Sequence, residues 1–170
     1  MAKLITVSEN LLEDILPHLK GTPLEKKITD LIENTGKYQT QNITYFPREA
    51  KVERIVDGDT IVLNNGNIVR YVGITCPEDN EPYDKESTEA NRKLVEGKQI
   101  KLEYDNYKGD KFGRILAYVI VEGKNVSMEL TKSGMAQVVV YQHKRPFIYQ
   151  DQLLKAQDEA KKKKLGIWSR

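Results

Sequence analysis

The sequence predicts an α+β protein that is mainly β with helices, and three observations support this. From residue 50 onward, short runs rich in Val and Ile are separated by turn residues, which is typical of strands. A helical pattern lies between the third and fourth runs, and two further helical patterns follow the fifth. Five short strands with a helix between the third and fourth indicate a five-stranded OB-type barrel with three helices. An N-terminal helical extension precedes it.

The strand predictions depend on alternating or continuous apolar runs bounded by turn residues. A hairpin turn is indicated by Asn64-Asn-Gly-Asn67, because Asn and Gly tolerate the left-handed backbone that such turns need. The five predicted strands are Lys51–Val56, Thr60–Leu63, Ile68–Ile74, Lys98–Tyr104 and Arg114–Glu122.

Each of the three predicted helices has a recognisable boundary. The pattern over Asp84–Glu96 is followed by Gly97, a frequent helix terminator. The helix over Asn125–Ser133 begins with a good N-cap residue and is followed by another glycine. The last helix, Tyr149–Lys164, places apolar residues on one face.

The first 48 residues differ from the rest and contain two helical patterns that each begin with a capping box. Six basic and six acidic residues leave this segment neutral, and no catalytic pattern is visible in it. We interpret residues 1–48 as a helical extension with a linker, and residues 49–170 as the barrel domain. The extension is expected to pack on the barrel or on a second copy of itself. A contact with another protein is the alternative.

Composition narrows the class of protein. With 39% apolar and 31% charged residues, the chain is neither fibrous nor disordered, and its net charge of +2 requires any phosphate-binding surface to be local. The single cysteine cannot form an internal disulfide, which favours a reducing compartment or simple indifference to oxidation. No signal peptide or transmembrane span is visible, so we expect a cytoplasmic protein without a membrane partner. Secretion would require that a signal had been removed.

Four charged side chains stand at strand ends and turns, where they can converge in a cleft. They are Asp59, Arg70, Glu78 and Arg114. Carboxylates hold hard cations and activate water, and arginines bind phosphate oxygens, so together they suit phosphodiester hydrolysis. Each taken alone also has an ordinary structural interpretation, as a turn, loop or strand-surface residue.

The order of these residues and their neighbours resembles the staphylococcal nuclease (thermonuclease) family. The resemblance covers about residues 50–170 and leaves the N-terminal segment unexplained. Its motifs are Val56-Asp-Gly-Asp-Thr60, Val69-Arg-Tyr-Val-Gly-Ile-Thr-Cys-Pro-Glu78, Asp110-Lys-Phe-Gly-Arg114, Leu116-Ala-Tyr118 and Lys164-Leu-Gly-Ile-Trp-Ser169.

The resemblance implies a role for each of the four charged residues. Asp59 matches the family's calcium-ligating aspartate, and Arg70 and Arg114 match the arginines that hold the scissile phosphate. Glu78 matches the glutamate proposed to activate water. Family members cut DNA and RNA with calcium and usually leave 3′-phosphate ends. DNA, RNA or both are therefore the expected partners of this chain.

One departure from the family pattern affects the metal site. The family usually has an aspartate where this chain has Thr75, so a calcium-ligating carboxylate is missing, although the backbone carbonyl of Cys76 remains as a ligand. Calcium affinity depends on the number of anionic oxygens, so we expect weaker calcium binding or a preference for another divalent cation. Two hypotheses follow: a metal-dependent nuclease, or a nucleic-acid-binding OB module with little or no activity.

Four further residues are predicted to contact nucleic acid. Lys108 and Lys111 lie on the loop before Arg114 and can attract phosphates. Phe112 stands where the family often has a tyrosine, and it can stack on a base. Tyr141 is a second candidate for stacking, with a packing role as the alternative.

Overall fold

The computed structural model describes residues 20–21, 46–140 and 145–169. The chain divides into two compact units, residues 1–45 and 46–170, of which the second contains the barrel. The predicted N-terminal helices and Tyr141 lie outside the described residues. The boundary that we placed after residue 48 therefore stays a prediction.

A closed barrel forms the second unit, which confirms the predicted five-stranded OB-type fold. The strands are β1 Glu49–Ile55, β2 Thr60–Leu63, β3 Ile68–Tyr71, β4 Ile74–Thr75, β5 Gln99–Glu103, β6 Ile115–Val121, β7 Lys124–Asn125 and β8 Gln137–Val138. The barrel strands follow the order β3-β2-β1-β5-β6, and β3 also pairs with β6 in parallel, so the sheet closes on itself. Closure removes the open sheet edges that would otherwise invite aggregation.

Three helices accompany the barrel within the described residues, as predicted. They are α1 Asp84–Val95, α2 Val126–Lys132 and α3 Gln150–Lys162, followed by a 3-10 helix at Gly166–Trp168. The Asn125 side chain caps α2 by accepting a hydrogen bond from the Met128 amide at 3.3 Å, as its sequence position indicated. No helix in these described ranges combines the length and apolar character needed to cross a membrane.

The core lies inside the barrel and continues under the helices. Along β5, Ile100 and Leu102 are buried while their neighbours are exposed, which is the alternation of a strand with one face on a core. Each fully buried Leu or Ile contributes roughly 1.5–3 kcal/mol relative to an exposed position. Other fully buried side chains are Val52, Ile61, Leu63, Val69, Val95, Ile115, Leu130 and Leu153.

The prediction of one continuous strand over Ile68–Ile74 is wrong. Its first part, β3, ends at Tyr71, and the chain turns at Gly73, whose φ is +81°. A Cβ at Gly73 would also lie 2.7 Å from the Phe147 ring, so only glycine fits this turn without strain. The chain resumes as β4, which pairs with β8 rather than with the barrel. The turn thereby directs Thr75 away from β3.

Candidate functional site

A cavity of about 570 Å³ opens beside the parallel pair β3 and β6. Arg70 on β3 is in register with Leu116 on β6. Arg114 directly precedes β6, two residues before Leu116. All three side chains line the cavity. The register of one strand pair therefore brings together the two arginines that the sequence singled out.

The Arg70 guanidinium is fixed by three contacts. Its Nε lies 2.9 Å from Oδ1 of Asp59. Its Nη1 donates to the carbonyl oxygens of Tyr71 at 2.9 Å and Ile74 at 2.8 Å. A planar guanidinium held at several donors keeps its remaining donors in a defined direction.

Asp59 is 5% exposed and ties several parts of the chain together. Besides the contact with Arg70, its Oδ1 accepts from the Thr60 hydroxyl at 3.1 Å, and its Oδ2 accepts from the Cys76 amide at 2.8 Å. Burial raises the pKa of Asp59 to about 6, although the nearby charge of Arg70 acts in the opposite direction. Asp59 is thus a buried carboxylate that the protein contacts on both oxygens, and it is not among the residues that line the cavity.

Arg114 is oriented by a local pair instead. Its Nε lies 2.8 Å from Oδ2 of Asp110, four residues earlier. The other carboxylate oxygen accepts from the amides of Phe112 at 2.9 Å and Arg114 at 3.0 Å. Burial alone would raise the pKa of Asp110, but the hydrogen bonds from Arg114 and Phe112 outweigh it and leave the pKa lowered. Asp110 is therefore charged at neutral pH and holds Arg114 at the cavity.

The segment after β3 contains the three remaining predicted site residues, and only one of them lines the cavity. Thr75 lines the cavity, whereas Cys76 is buried beside Asp59. Burial and the Asp59 charge raise the pKa of the Cys76 thiol far above its ordinary value, which makes it a poor nucleophile. Glu78 is exposed and does not line the cavity, and its amide donates to the Glu81 carboxylate at 2.9 Å.

Only some of the residues predicted to contact nucleic acid line the cavity. Phe112 is 70% exposed and lines the cavity together with Lys111, whose Nζ lies 4.9 Å from the centre of the Phe112 ring. Lys108 does not line it and instead lies 5.9 Å and 5.7 Å from the ring centres of Phe46 and Tyr104. Tyr141 falls outside the described residues, so its predicted role has no structural counterpart here.

The sequence analysis missed three residues that line the cavity: Asp105, Tyr107 and Arg145. Tyr107 stands directly before Lys108, and an aromatic residue beside a basic one on a loop is a signal for nucleic-acid contact. Arg145 ends the basic run His143-Lys144-Arg145. Neither signal could be assigned to this cavity before the fold was known.

A divalent cation such as Ca²⁺ or Mg²⁺ needs several oxygen ligands, some of them carboxylates. Among the described residues, no group of three or more His, Cys, Asp or Glu side chains is placed to hold a metal. Asp59 offers one buried carboxylate, which already accepts from Arg70, Thr60 and Cys76 and does not itself line the cavity, and Thr75 adds a neutral oxygen at the cavity. This set fits a cation that completes its coordination with substrate phosphate, since Mg²⁺ is often held by one or two carboxylates plus phosphate oxygens.

Comparison with known proteins agrees with the geometry. Residues 68–170 match the family model described as "Staphylococcal nuclease homologue". The chain is 42% identical over 133 residues to the SPbeta prophage-derived endonuclease YokF of Bacillus subtilis (strain 168), covering 72% of this chain and 44% of that protein. It is 40% identical over 130 residues to Endonuclease YncB of the same organism, covering 70% and 61%.

A shorter relative is matched over more of its length. The chain is 34% identical over 129 residues to the Thermonuclease of Staphylococcus hyicus, covering 70% of this chain and 75% of that protein. The matched region spans only about half of the length of each of the two Bacillus proteins. The remaining parts of those proteins lie outside the match. From the matched family model, the identity with these relatives and the closed barrel, we conclude that the chain belongs to the staphylococcal nuclease family.

Proposed function

We propose that this protein is a metal-dependent nuclease that hydrolyses phosphodiester bonds in DNA, RNA or both and leaves 3′-phosphate ends. Relatives named endonuclease and thermonuclease support hydrolysis of nucleic acid. The observation that carries the proposal is the convergence of Arg70 and Arg114 on one cavity, each oriented by its own carboxylate.

Two fixed guanidinium groups are suited to a phosphodiester. A phosphate accepts the fork of an arginine in a bidentate manner, and the negative charge on its oxygens increases as the attacking water approaches. Arg70 and Arg114 would hold the phosphate and stabilise that charge. Because both side chains are oriented beforehand by Asp59 and Asp110, little reorganisation is needed during the reaction.

We assign the activation of water to Glu78. Its carboxylate would accept one proton while the water oxygen forms a bond to phosphorus. The bond from phosphorus to the 5′ oxygen breaks, the leaving oxygen takes up a proton from solvent water, and the phosphate stays on the 3′ side. Glu78 then releases its proton to solvent. Glu78 is exposed and lies outside the cavity lining, three residues after the cavity-lining Thr75, so this assignment requires Glu78 to reach the bound strand from beside the cavity.

The proposed metal is calcium, with another divalent cation as the alternative. Asp59 and the oxygens of Thr75 and Cys76 would hold it beside the phosphate. When bound, it would supply positive charge to the phosphate oxygens. The protein residues would orient the phosphate through the arginines and keep the Asp59 carboxylate available in its buried position.

The decisive experiment is an incubation of the protein with single-stranded DNA and with RNA at rising calcium, magnesium and manganese concentrations. Cleavage should require a metal and stop when a chelator is added. Arg114→Ala should lower kcat by roughly 100-fold or more, which is the usual cost of removing one donor to the transition state. Glu78→Ala should lower it as well. Retained cleavage in both variants would contradict the assigned roles.

A gain-of-function variant tests the metal assignment separately. Thr75→Asp restores a carboxylate at the position where family members carry one, so it should tighten calcium binding and lower the calcium concentration needed for cleavage. Thr75→Asn, which has nearly the same size but no charge, is the matched control. An equal effect of the two variants would remove Thr75 from the metal site.

A second candidate function is a nucleic-acid-binding module with little or no catalytic activity. The observation that favours it is the single buried carboxylate at the site, with no group of three metal-binding side chains among the described residues. Binding without cleavage at millimolar metal, for the wild type and for Thr75→Asp alike, would establish this alternative.

A further inference from the structure

We propose that the cavity contains a second nucleotide subsite, in which the Tyr107 ring stacks on a base and Arg145 binds the phosphate next to the one at Arg70 and Arg114. The subsite deepens the proposed function and rests on the same cavity. Its ligand is one additional nucleotide of a single strand, since a paired base would not offer its face to the ring.

Tyr107 presents a large ring to the cavity. It is 53% exposed, yet it lines the cavity wall together with Phe112 and Lys111 from the same loop. An exposed aromatic side chain beside cations is the arrangement that binds single strands, because each base has a face to stack and each nucleotide has a phosphate.

Arg145 brings positive charge to the cavity from a different segment. It is exposed and lines the cavity, and in the described part of the chain it forms no ion pair with a carboxylate. Arg70 and Arg114, by contrast, each direct Nε to an aspartate. The charge of Arg145 is therefore left for a ligand, which favours an anionic group such as a backbone phosphate.

Asp105 connects the two segments that carry these residues. Its Oδ2 accepts from the Ile148 amide at 2.8 Å and from the Tyr118 hydroxyl at 3.0 Å. Its Oδ1 accepts from the Asn106 amide at 2.6 Å. The chain reaches Tyr107 two residues after Asp105 and Ile148 three residues after Arg145, so one carboxylate ties both sides of the subsite to the buried Tyr118.

The charge balance of the cavity favours a polyanion over a single anion. Four cationic side chains line it against two carboxylates, Asp105 and Asp110. Arg70 and Arg114 are ion-paired with Asp59 and Asp110, which leaves Lys111 and Arg145 without a carboxylate partner among the described residues. Consecutive phosphates would match several cations at once. The four cations are Arg70, Lys111, Arg114 and Arg145.

The test is binding of a fluorescein-labelled oligothymidylate of about eight nucleotides, a length within the usual footprint of an OB barrel. Fluorescence anisotropy of the full chain in chelator, at several salt concentrations, gives both the affinity and its salt dependence. Tyr107→Leu should weaken binding about tenfold with an unchanged salt slope, and Tyr107→Phe should retain it, because stacking needs the ring and not the charge.

The arginine is tested through the slope itself. Arg145→Gln should lower the slope of log K against log salt by about 0.7, the value for one phosphate contact on a single strand. Arg54→Gln, at an exposed position on β1 that does not line the cavity, is the matched control and should change neither quantity. Circular dichroism would confirm that each variant is folded.

These results separate the subsite from the proposed hydrolysis. Wild-type cleavage combined with unchanged affinity and slope in Tyr107→Leu and Arg145→Gln would overturn the subsite and leave the nuclease intact. If the wild type did not cleave, but Tyr107→Leu altered the affinity and Arg145→Gln altered the salt slope, the subsite would be supported and the proposed hydrolysis contradicted. If Tyr107→Leu did not fold, 2-aminopurine in the bound oligonucleotide would report stacking, and fluorescence that is not quenched would overturn the role of Tyr107.

Discussion

Asp59 and Asp110 orient the two arginines of one cavity, and each accepts three hydrogen bonds or ion-pair contacts, but they connect very different amounts of chain. The donors to Asp59 come from the next residue, from β3 and from the segment 17 residues away. The donors to Asp110 all lie within four residues of it. The contacts of Asp59 thus connect separate segments of the barrel, whereas the contacts of Asp110 stabilise a single loop.

The two carboxyl groups also respond oppositely to their surroundings. At Asp59 burial dominates and raises the pKa, while at Asp110 the hydrogen bonds outweigh burial and lower it. The difference teaches that equal numbers of contacts do not give equal electrostatic balance. Burial penalises the charge at both positions, and only at Asp110 do the hydrogen bonds from Arg114 and Phe112 together exceed that penalty.

The largest expected effect is on stability when Asp59 is removed. Asp59→Ala leaves the Arg70 charge and the Cys76 amide without their buried acceptor, so it should lower the free energy of unfolding by about 3 kcal/mol. Urea unfolding followed by Trp168 fluorescence measures this. A loss below about 1 kcal/mol would mean that the pair contributes no more than an exposed one.

Cys76 offers a chemical measure of the same region. In the wild type its thiol is buried and its pKa is raised, so reaction with iodoacetamide should require opening of the structure. Asp59→Ala should accelerate alkylation by about 100-fold, the factor that corresponds to the loss of stability. Asp110→Ala should change the rate much less. Equal acceleration of alkylation in the two variants would mean that the Asp59 and Asp110 pairs stabilise the same part of the structure, which would contradict the contrast between them.

A smaller effect is expected when Asp110 is removed. Asp110→Ala should lower the free energy of unfolding by about 1 kcal/mol or less, because the pair is local and partly exposed. It should nevertheless reduce kcat, since Arg114 loses the contact that orients it. Asp84→Ala, in the first turn of α1 and outside the cavity, is the control for activity. A loss of stability as large as that of Asp59→Ala would contradict the claim that the Asp110 pair contributes less to stability than the Asp59 pair.

Much of the fold could be predicted because barrel strands and helix ends carry local signals. The apolar pattern located β2, and the side chain of Asn125 caps α2 at the predicted position. The break at Gly73 was missed because a strand pattern continues through it, and only the approach of Phe147 and the pairing of β4 with β8 interrupt the element. The glycine itself is a local sign of a bend, but the residues that the chain meets after the bend leave no mark on the local sequence.

For the candidate site, the sequence was informative about residue types and less so about their partners. Arg70 and Arg114 were predicted, and their convergence follows from the parallel pairing of β3 and β6. Asp105 and Arg145 were missed because they lie 40 residues apart and meet the cavity through the folded chain. The roles assigned to Glu78 and Thr75 remain predictions for the experiments above.

The smallest expected effect is the contribution of Asp110 to the pH dependence of stability. Its pKa in the folded protein lies below the ordinary value of 3.8, so the folded state favours the charged form. That contribution is fully present above pH 3.8 and is lost as the pH falls through the lowered pKa. The difference in free energy of unfolding between the wild type and Asp110→Asn should therefore be constant, at about 1 kcal/mol or less, near neutral pH and shrink in acid. A difference that grew on acidification would reverse the sign assigned to the loop pair and remove its contrast with Asp59.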